Sequence, residues 1–345
     1  MEFKKTIKDW MLPIAMAAGA SVYLIYDALP EPVHKAGPVV SHILATMQPA
    51  LIFAMLFLTF CRIEPKELKP HRWHWWLLLV QGGIFTLLGF AAFSIQKFMP
   101  GVPAGWIVVF ESAMLCMICP TATAAAVVTR KLGGDIPGIT TYIVLINLLT
   151  AVLVPLMVPL IHPASDTNFW TSFNLILAKV FPLLITPCLC AWLIRYLWPK
   201  AHRRILQYPD LPFYLWAVAL TLAITVTTKS IVQSDMKFGL ILAMSAVSLI
   251  CCAFQFFIGR HIGSRYRPRR SVTAEIEERG KEIRKVTAGQ AIGQKNTVFA
   301  IWLAYTFMTP ETAIVGGLYS IWHNIYNSWQ LYRANHTNKR SYTND

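Results

Sequence analysis

Ala288-Gly-Gln-Ala-Ile-Gly-Gln-Lys-Asn-Thr297 lies inside an apolar run that opens near Ile283 and closes near Met308. A run of that length crosses a bilayer, which needs about 20 apolar residues. Its middle nevertheless holds Gly289, Gly293, two glutamines, an asparagine and Lys295. A charge at that depth costs roughly 3 kcal/mol or more unless it meets water or a partner. Glycines weaken a helix and let its backbone open. A polar, glycine-interrupted centre in a membrane helix marks a binding site of the kind secondary carriers build. Lys295 sits about twelve residues from either end of the run, roughly 18 Å at 1.5 Å per residue. A lysine chain does not reach water over that distance, so the amine must face a cavity or a partner.

The rest of the chain agrees with a membrane setting. Of its 345 residues, 55% are hydrophobic and only 14% charged, where a soluble domain carries about 25% charge. Ten apolar runs follow one another, at about 10–29, 40–61, 74–97, 105–130, 136–161, 168–195, 211–232, 236–259, 283–308 and 310–332. None alternates like a barrel strand, so an all-α polytopic fold of ten transmembrane helices is expected. The net charge of +14 is not a nucleic-acid footprint, because it segregates by loop. Alternate loops and both tails carry 25 Lys and Arg, the opposite loops carry 4, and Lys179 and Lys295 lie within spans. The positive-inside rule then puts both termini in the cytoplasm of a multi-pass protein of the inner (plasma) membrane. The seven cysteines lie in or beside apolar runs and read as free, buried thiols.

A second interruption, Cys119-Pro-Thr-Ala-Thr123, stands 174 residues before the first. Pro120 removes a helix donor and frees a carbonyl, and the alanines after it admit a close neighbour. Ten spans divide into five and five, and the broken ones are the fourth of each half. An odd number of spans inverts the second half relative to the first. The chain therefore reads as one transporter domain of two inverted repeats, 1–163 and 164–345, with a charged cytoplasmic linker at 262–284. Thr273-Ala-Glu-Ile-Glu277 opens a helix in that linker, either simply solvated or touching lipid headgroups.

Residues for a site follow from the two breaks. Lys295 and the helix amino termini attract an anion. Gln290, Gln294, Asn296, Thr297, Thr121, Thr123, Gln81 and Asn147 are its neutral polar candidates, and Pro120, Gly293 and Gly289 are the helix breakers. Glu111 sits about 9 Å inside its span. It pairs with a lysine, carries a proton, or faces outer water, and the last is the favoured reading. Lys179 points either to a cavity or to headgroups. His71 and His74, beside Trp73, Trp75 and Trp76, fit an interfacial belt. No HExxH, Walker loop or serine elbow is present, so no enzyme is expected.

Four stretches resemble the bile acid:sodium symporter family. Gly293-Gln-Lys-Asn-Thr-Val-Phe-Ala300 is similar to the family's E-V-G-M-Q-N-x-x-x-A motif in the ninth helix, and Cys119-Pro-Thr-Ala-Thr-Ala-Ala-Ala126 to its C-P-G-G-T-A-S-N motif in the fourth. Val80-Gln-Gly82 resembles the third helix, and Gln255-Phe-Phe-Ile-Gly-Arg-His-Ile-Gly263 the end of the eighth. The resemblance implies a core of helices 3–5 and 8–10, a panel of helices 1, 2, 6 and 7, crossed broken helices, and an organic anion driven by sodium. The departures are specific. Ala125 and Ala126 stand where the family has Ser-Asn, Ala291 (or Gln290, shifted by one) where it has glutamate, and Lys295 where it has glutamine. A hard cation needs oxygen ligands. Two sodium ions and one carboxylate sum to one positive charge, and a protonated Lys295 supplies the same charge without metal.

The expectation is a secondary carrier of an organic anion, bile-acid-like or a carboxylate or sulfonate. Lys295 replaces sodium, so coupling is sodium-independent, or proton-linked if Lys295 releases its proton. No cofactor, no metal and no nucleic acid are expected; the partners are membrane lipid and the anion. The alternatives are a membrane sensor that binds without translocating, and a cation/proton antiporter. The last normally needs an intramembrane aspartate that this chain lacks at the breaks. Oligomeric state is not legible in these residues.

Overall fold

The apolar runs become helices in the computed structural model, which describes residues 2–30, 37–163, 168–208, 210–234, 236–266 and 274–342. Among the described residues there are thirteen α-helices and no strand. In chain order they are α1 (Glu2–Asp27), α2 (Gly37–Phe60), α3 (Arg72–Phe98), α4 (Ala104–Ile118), α5 (Ala124–Lys131), α6 (Ile136–Ile161), α7 (Phe169–Leu197) and α8 (Pro199–Leu206). They continue with α9 (Leu211–Gln233), α10 (Phe238–Arg265), α11 (Ala274–Gly293), α12 (Thr297–Phe307) and α13 (Pro310–Tyr342). Each apolar run coincides with one helix or with a broken pair. Five helices, α3, α6, α7, α9 and α10, are by themselves long and apolar enough to cross a membrane. The chain is thus an all-helical, multi-pass membrane protein.

Its surface is apolar where a soluble protein would be polar. Leu79, Leu87, Ile250 and Phe257 all stand exposed, and lipid tails are the solvent that tolerates them. The buried side of α10 is a single stripe: Met244, Ser248, Cys252, Gln255, Gly259 and Gly263 recur every three or four residues. Helix α1 packs on α9, and α2 packs on α7 and α9. Helices α3, α4, α6, α10, α11 and α13 pack among themselves, and α12 lies between α13 and α2.

The most extensive of these contacts, α10 against α11, corrects the reading of Gly289. Gly259 and Gly263 on α10 face Arg284, Ala288 and Ile292 of α11, and Gly289 and Gly293 on α11 face Arg260 and Phe256 of α10. A side chain on Gly259 would come within 2.5 Å of the Ala288 carbonyl, and one on Gly293 within 2.6 Å of the Phe256 ring. Glycine at both helices lets backbones approach closely, the small-xxx-small device of membrane interfaces. Gly289, expected to break its helix, lies inside α11 and packs against Arg260. Removing a side chain here serves contact, not chain opening.

Other expectations change at the helix ends. α10 continues to Arg265 and α11 begins at Ala274, so most of the 262–284 linker is helix. Residues 267–273, Thr273 among them, lie outside the described residues. Ion pairs one turn apart, Glu278–Lys281 and Glu282–Lys285, together with Arg260–Glu282 across the helices, support this polar extension. The boundary placed between 163 and 164 adjoins 164–167, also outside the described residues. Short α8 was not expected; His202 Nε2 meets the Cys61 carbonyl at 2.7 Å and fastens α8 to the end of α2. His74 is no belt residue. It is fully buried in the first turn of α3, with Nδ1 accepting from the His71 amide at 2.6 Å and Nε2 2.9 Å from the Gly138 carbonyl. Trp75 and Trp76 do face outward. All seven cysteines are free.

Candidate functional site

Two interrupted helices meet at their breaks, inside the helix bundle. α4 ends at Ile118 and α5 begins at Ala124; α11 ends at Gly293 and α12 begins at Thr297. Between them the chain is extended, and extended backbone inside a membrane must be paired. It is paired across the two breaks. The Ala122 amide donates to the Gln294 carbonyl at 2.9 Å, and the Asn296 amide to the Pro120 carbonyl at 2.8 Å. Thr121 and Lys295 are thereby antiparallel neighbours. Pro120 has no amide to satisfy, so its place in the ladder costs nothing. The Thr121 hydroxyl donates to the Ala291 carbonyl, and Cys119 Sγ donates to the Asn296 carbonyl at 2.9 Å. Asn296 caps α12 by accepting from the Phe299 amide at 3.3 Å.

Each break has its own glutamine–tyrosine prop. Gln81 Nε2 donates to the Cys119 carbonyl at 3.1 Å, and Tyr142 OH donates to Gln81 Oε1 at 2.9 Å. On the other side Tyr319 OH donates to the Gly293 carbonyl at 2.8 Å, and Gln255 Nε2 donates to Tyr319 OH at 3.1 Å. Gln81 and Gln255 stand 174 residues apart, the same interval as the two breaks. Gln81 is therefore a support for the break and not a free ligand. Tyr142, Gln255 and Tyr319 were not picked out as site residues, although Gln255 lies in a quoted motif. The interval of 174 applied to Gln81 would have found it.

Lys295 is 1% exposed. Its Nζ donates to the Met117 carbonyl at 3.2 Å, in the last turn of α4. Carbonyls of a last turn lack helical partners and form the negative end of the helix dipole. The amine thus caps α4, while the amino termini of α5 and α12 bring their positive ends to the same crossing. Among the described residues no carboxylate pairs with Lys295. A small cavity, about the size of one water molecule, touches Lys295, Cys116, Cys119, Thr297, Gly316 and Tyr319.

The remaining candidates divide. Gln294, Asn296 and Thr297 are in the break and buried; Gln294 Oε1 has no partner among the described residues. Thr123 is half-buried just ahead of α5. Gln290 turns away from the break, its Nε2 donating to Asn327 Oδ1 at 2.9 Å. Asn147 Nδ2 bonds within its own helix, to the Ile143 carbonyl at 2.8 Å. Lys179 stays on the outside of α7, 5.5 Å from the centre of the Phe307 ring, and does not enter the crossing.

Glu111 corrects its favoured reading. It is 1% exposed and not in outer water. His162 Nε2 lies 2.8 Å from Oε1, and the Thr312 hydroxyl donates to Oε2 at 2.6 Å. A carboxylate with two such partners can be buried; neither partner is readable from a loop histidine and a threonine 201 residues away. Where the resemblance placed oxygen ligands for sodium, Ala125, Ala288, Ala291 and Ile292 form one apolar cluster. The Ala125 and Ala291 side chains themselves carry no oxygen, and the hydroxyl of Tyr142 in the same cluster is bonded to Gln81. Among the described residues no three His, Cys, Asp or Glu converge as a metal site.

Compared with known proteins, residues 49–236 match the family described as Sodium Bile acid symporter family. No curated protein matches the chain.

Proposed function

Because the chain belongs to the sodium bile acid symporter family, a family of membrane transporters, we propose that it is a secondary carrier of an organic anion whose driving cation is replaced by Lys295. The observation that carries this is the amine at the end of α4. Unwound carbonyls and half-helix carboxyl ends are where carriers of this architecture coordinate their cation, and here Nζ binds one of them. The apolar cluster around Ala125 and Ala291 supports the same conclusion from the other side. The anion would be bound by the two helix amino termini and the Lys295 charge.

Ten crossings in two inverted halves, with both termini cytoplasmic, fit the loop charges and the matching glutamine–tyrosine props. A panel of α1, α2, α7 and α9 beside a core of the other spans accords with the packing, and alternating access would move one against the other. Coupling is sodium-independent or proton-linked. The test is uptake of labelled cholate and taurocholate into proteoliposomes, with sodium, potassium and pH gradients imposed one at a time. Uptake indifferent to sodium is expected. A steep rise with sodium would overturn the replacement.

A further inference from the structure

One face of α13 is polar from end to end, although its neighbours are apolar. Thr312, Gly316, Tyr319, His323, Asn327 and Gln330 recur at intervals of three or four and all are buried or nearly so. That interval keeps them on one side of the helix. At one end Thr312 holds Glu111, which holds His162. In the middle Gly316 and Tyr319 line the Lys295 cavity. At the other end Arg260 Nη1 reaches Gln330 Oε1 at 3.4 Å and pairs with half-exposed Glu282 at 3.0 Å. The stripe thus runs from the cavity to the protein surface.

The inner half of this stripe is under-bonded. His323 Nδ1, Asn327 Nδ2, Gln330 Nε2 and Gln290 Oε1 are buried without a protein partner among the described residues. Buried polar atoms are almost always satisfied, by protein or by ordered water. Helix–helix adhesion would have paired them. Nor does the fold demand polarity at His323 or Gln330. Tyr142 and Tyr319 occupy matching props 177 residues apart; the same step carries His323 to Ile146 and Gln330 to Leu153, while Asn327 falls on Thr150, a buried hydroxyl fully paired with the Ile118 and Ile146 carbonyls. The first half packs this face with Ile146, wholly buried.

Taking the Lys295 carrier reading as its premise, we infer that this stripe is a water-lined path by which protons reach the Lys295 amine from the Arg260 end. A proton taken from bulk water near Arg260 and Glu282 passes along water held by Gln330, Asn327 and Gln290 to His323. Imidazole accepts at one nitrogen and releases from the other. The proton then passes by Tyr319 to Nζ, turning amine into ammonium; the reverse traffic discharges it. The charged and titratable groups facing the path are Tyr319 and Tyr326 on α13, Cys251, Cys252 and Arg260 on α10, Cys116 on α4 and Cys119 just after it, Glu282 on α11 and Lys295.

Two measurements test it, and the first needs no cargo. Hydroxyl-radical footprinting of the purified full chain oxidises buried side chains only where water touches them. Tyr319 and His323 are expected to react several-fold faster than Tyr142, which is buried and paired with Gln81. Reaction at the Tyr142 rate would overturn the path. The second uses proteoliposomes with cholate or taurocholate. His323→Leu and Asn327→Leu are expected to cut pH-gradient-driven uptake at least about tenfold while one-for-one exchange of labelled for unlabelled anion continues. Unchanged gradient-driven uptake, or loss of exchange together with uptake, would overturn it; so would wild-type uptake that ignores the pH gradient. Should the wild type move neither anion, the carrier reading fails for those anions and the footprinting still decides the path.

Discussion

Replacing Lys295 by glutamine separates charge from shape. The substitution keeps a polar end that can still donate to the Met117 carbonyl, and removes one positive charge from a site 1% exposed. An anion oxygen seated in the cavity would lie about 4 Å from Nζ, where two unit charges at an effective dielectric of about 20 attract by roughly 4 kcal/mol. Part of that is already spent on the α4 carboxyl end, equivalent to about half a charge. A net loss of about 2–4 kcal/mol remains, or roughly 30- to 1,000-fold in affinity. Stability should move the other way or stay level, because an uncompensated buried charge costs several kcal/mol. Binding is read by thermal shift and by titration of cholate and taurocholate, and folding by the melting temperature without ligand. Equal affinity in wild type and Lys295→Gln, with both folded, refutes the argument that the amine serves the anion. A Lys295→Gln protein that loses ligand-free stability by several kcal/mol would instead make the amine a structural cap for α4.

Three further outcomes follow from the packing. Gly293→Ala puts a methyl within 2.6 Å of the Phe256 ring and should cost about 1–3 kcal/mol, read as a lowered melting temperature; Gly83→Ala, with nothing near its added methyl, is the neutral control. Gln81→Leu leaves the Cys119 carbonyl and Tyr142 hydroxyl unpaired and should cost about 2 kcal/mol or more. A second substitution, Tyr142→Phe, should then add little to that loss in the same denaturation assay. Partial burial raises the Glu282 carboxyl, but Lys285 and Arg260 outweigh it and hold the group below its usual value. Its stabilising share is therefore full above the free carboxylate range and fades as pH falls through the folded value. Glu282→Gln should flatten that acid-side fade in melting temperature, modestly, since the pair is well exposed.

The helical character of each apolar run and the two breaks are local properties, and they were legible. Apolar runs set each helix, and Pro120 and the polar Gln294-Lys-Asn296 triplet interrupt two of them whatever surrounds them. The burial of Lys295 also follows from chain arithmetic, since a lysine side chain that far inside an apolar run does not reach either end of it. The resemblance drawn from four short motifs agrees with the family match over residues 49–236. What remained hidden was every identity of a partner. Gly289 and Gly293 look alike in sequence, yet one is mid-helix and the other ends it, because α10 lies against both. Glu111 looks water-facing until His162 and Thr312 close over it. Gln290 looks like a ligand until Asn327 takes it. The His323 stripe was overlooked because an apolar run is judged by its average, and five polar residues on one face barely change an average.

By itself the sequence determined that the chain is helical, lives in a membrane, breaks two helices at equivalent points and buries one amine. Those are consequences of hydropathy and backbone chemistry acting over a few residues. Only the tertiary structure decided that the breaks hydrogen-bond to each other, that the amine meets the carboxyl end of α4, and that one face of α13 is left short of partners. Such contacts join residues far apart in the chain, and no local pattern encodes which groups the packing of separate helices will bring within 3 Å.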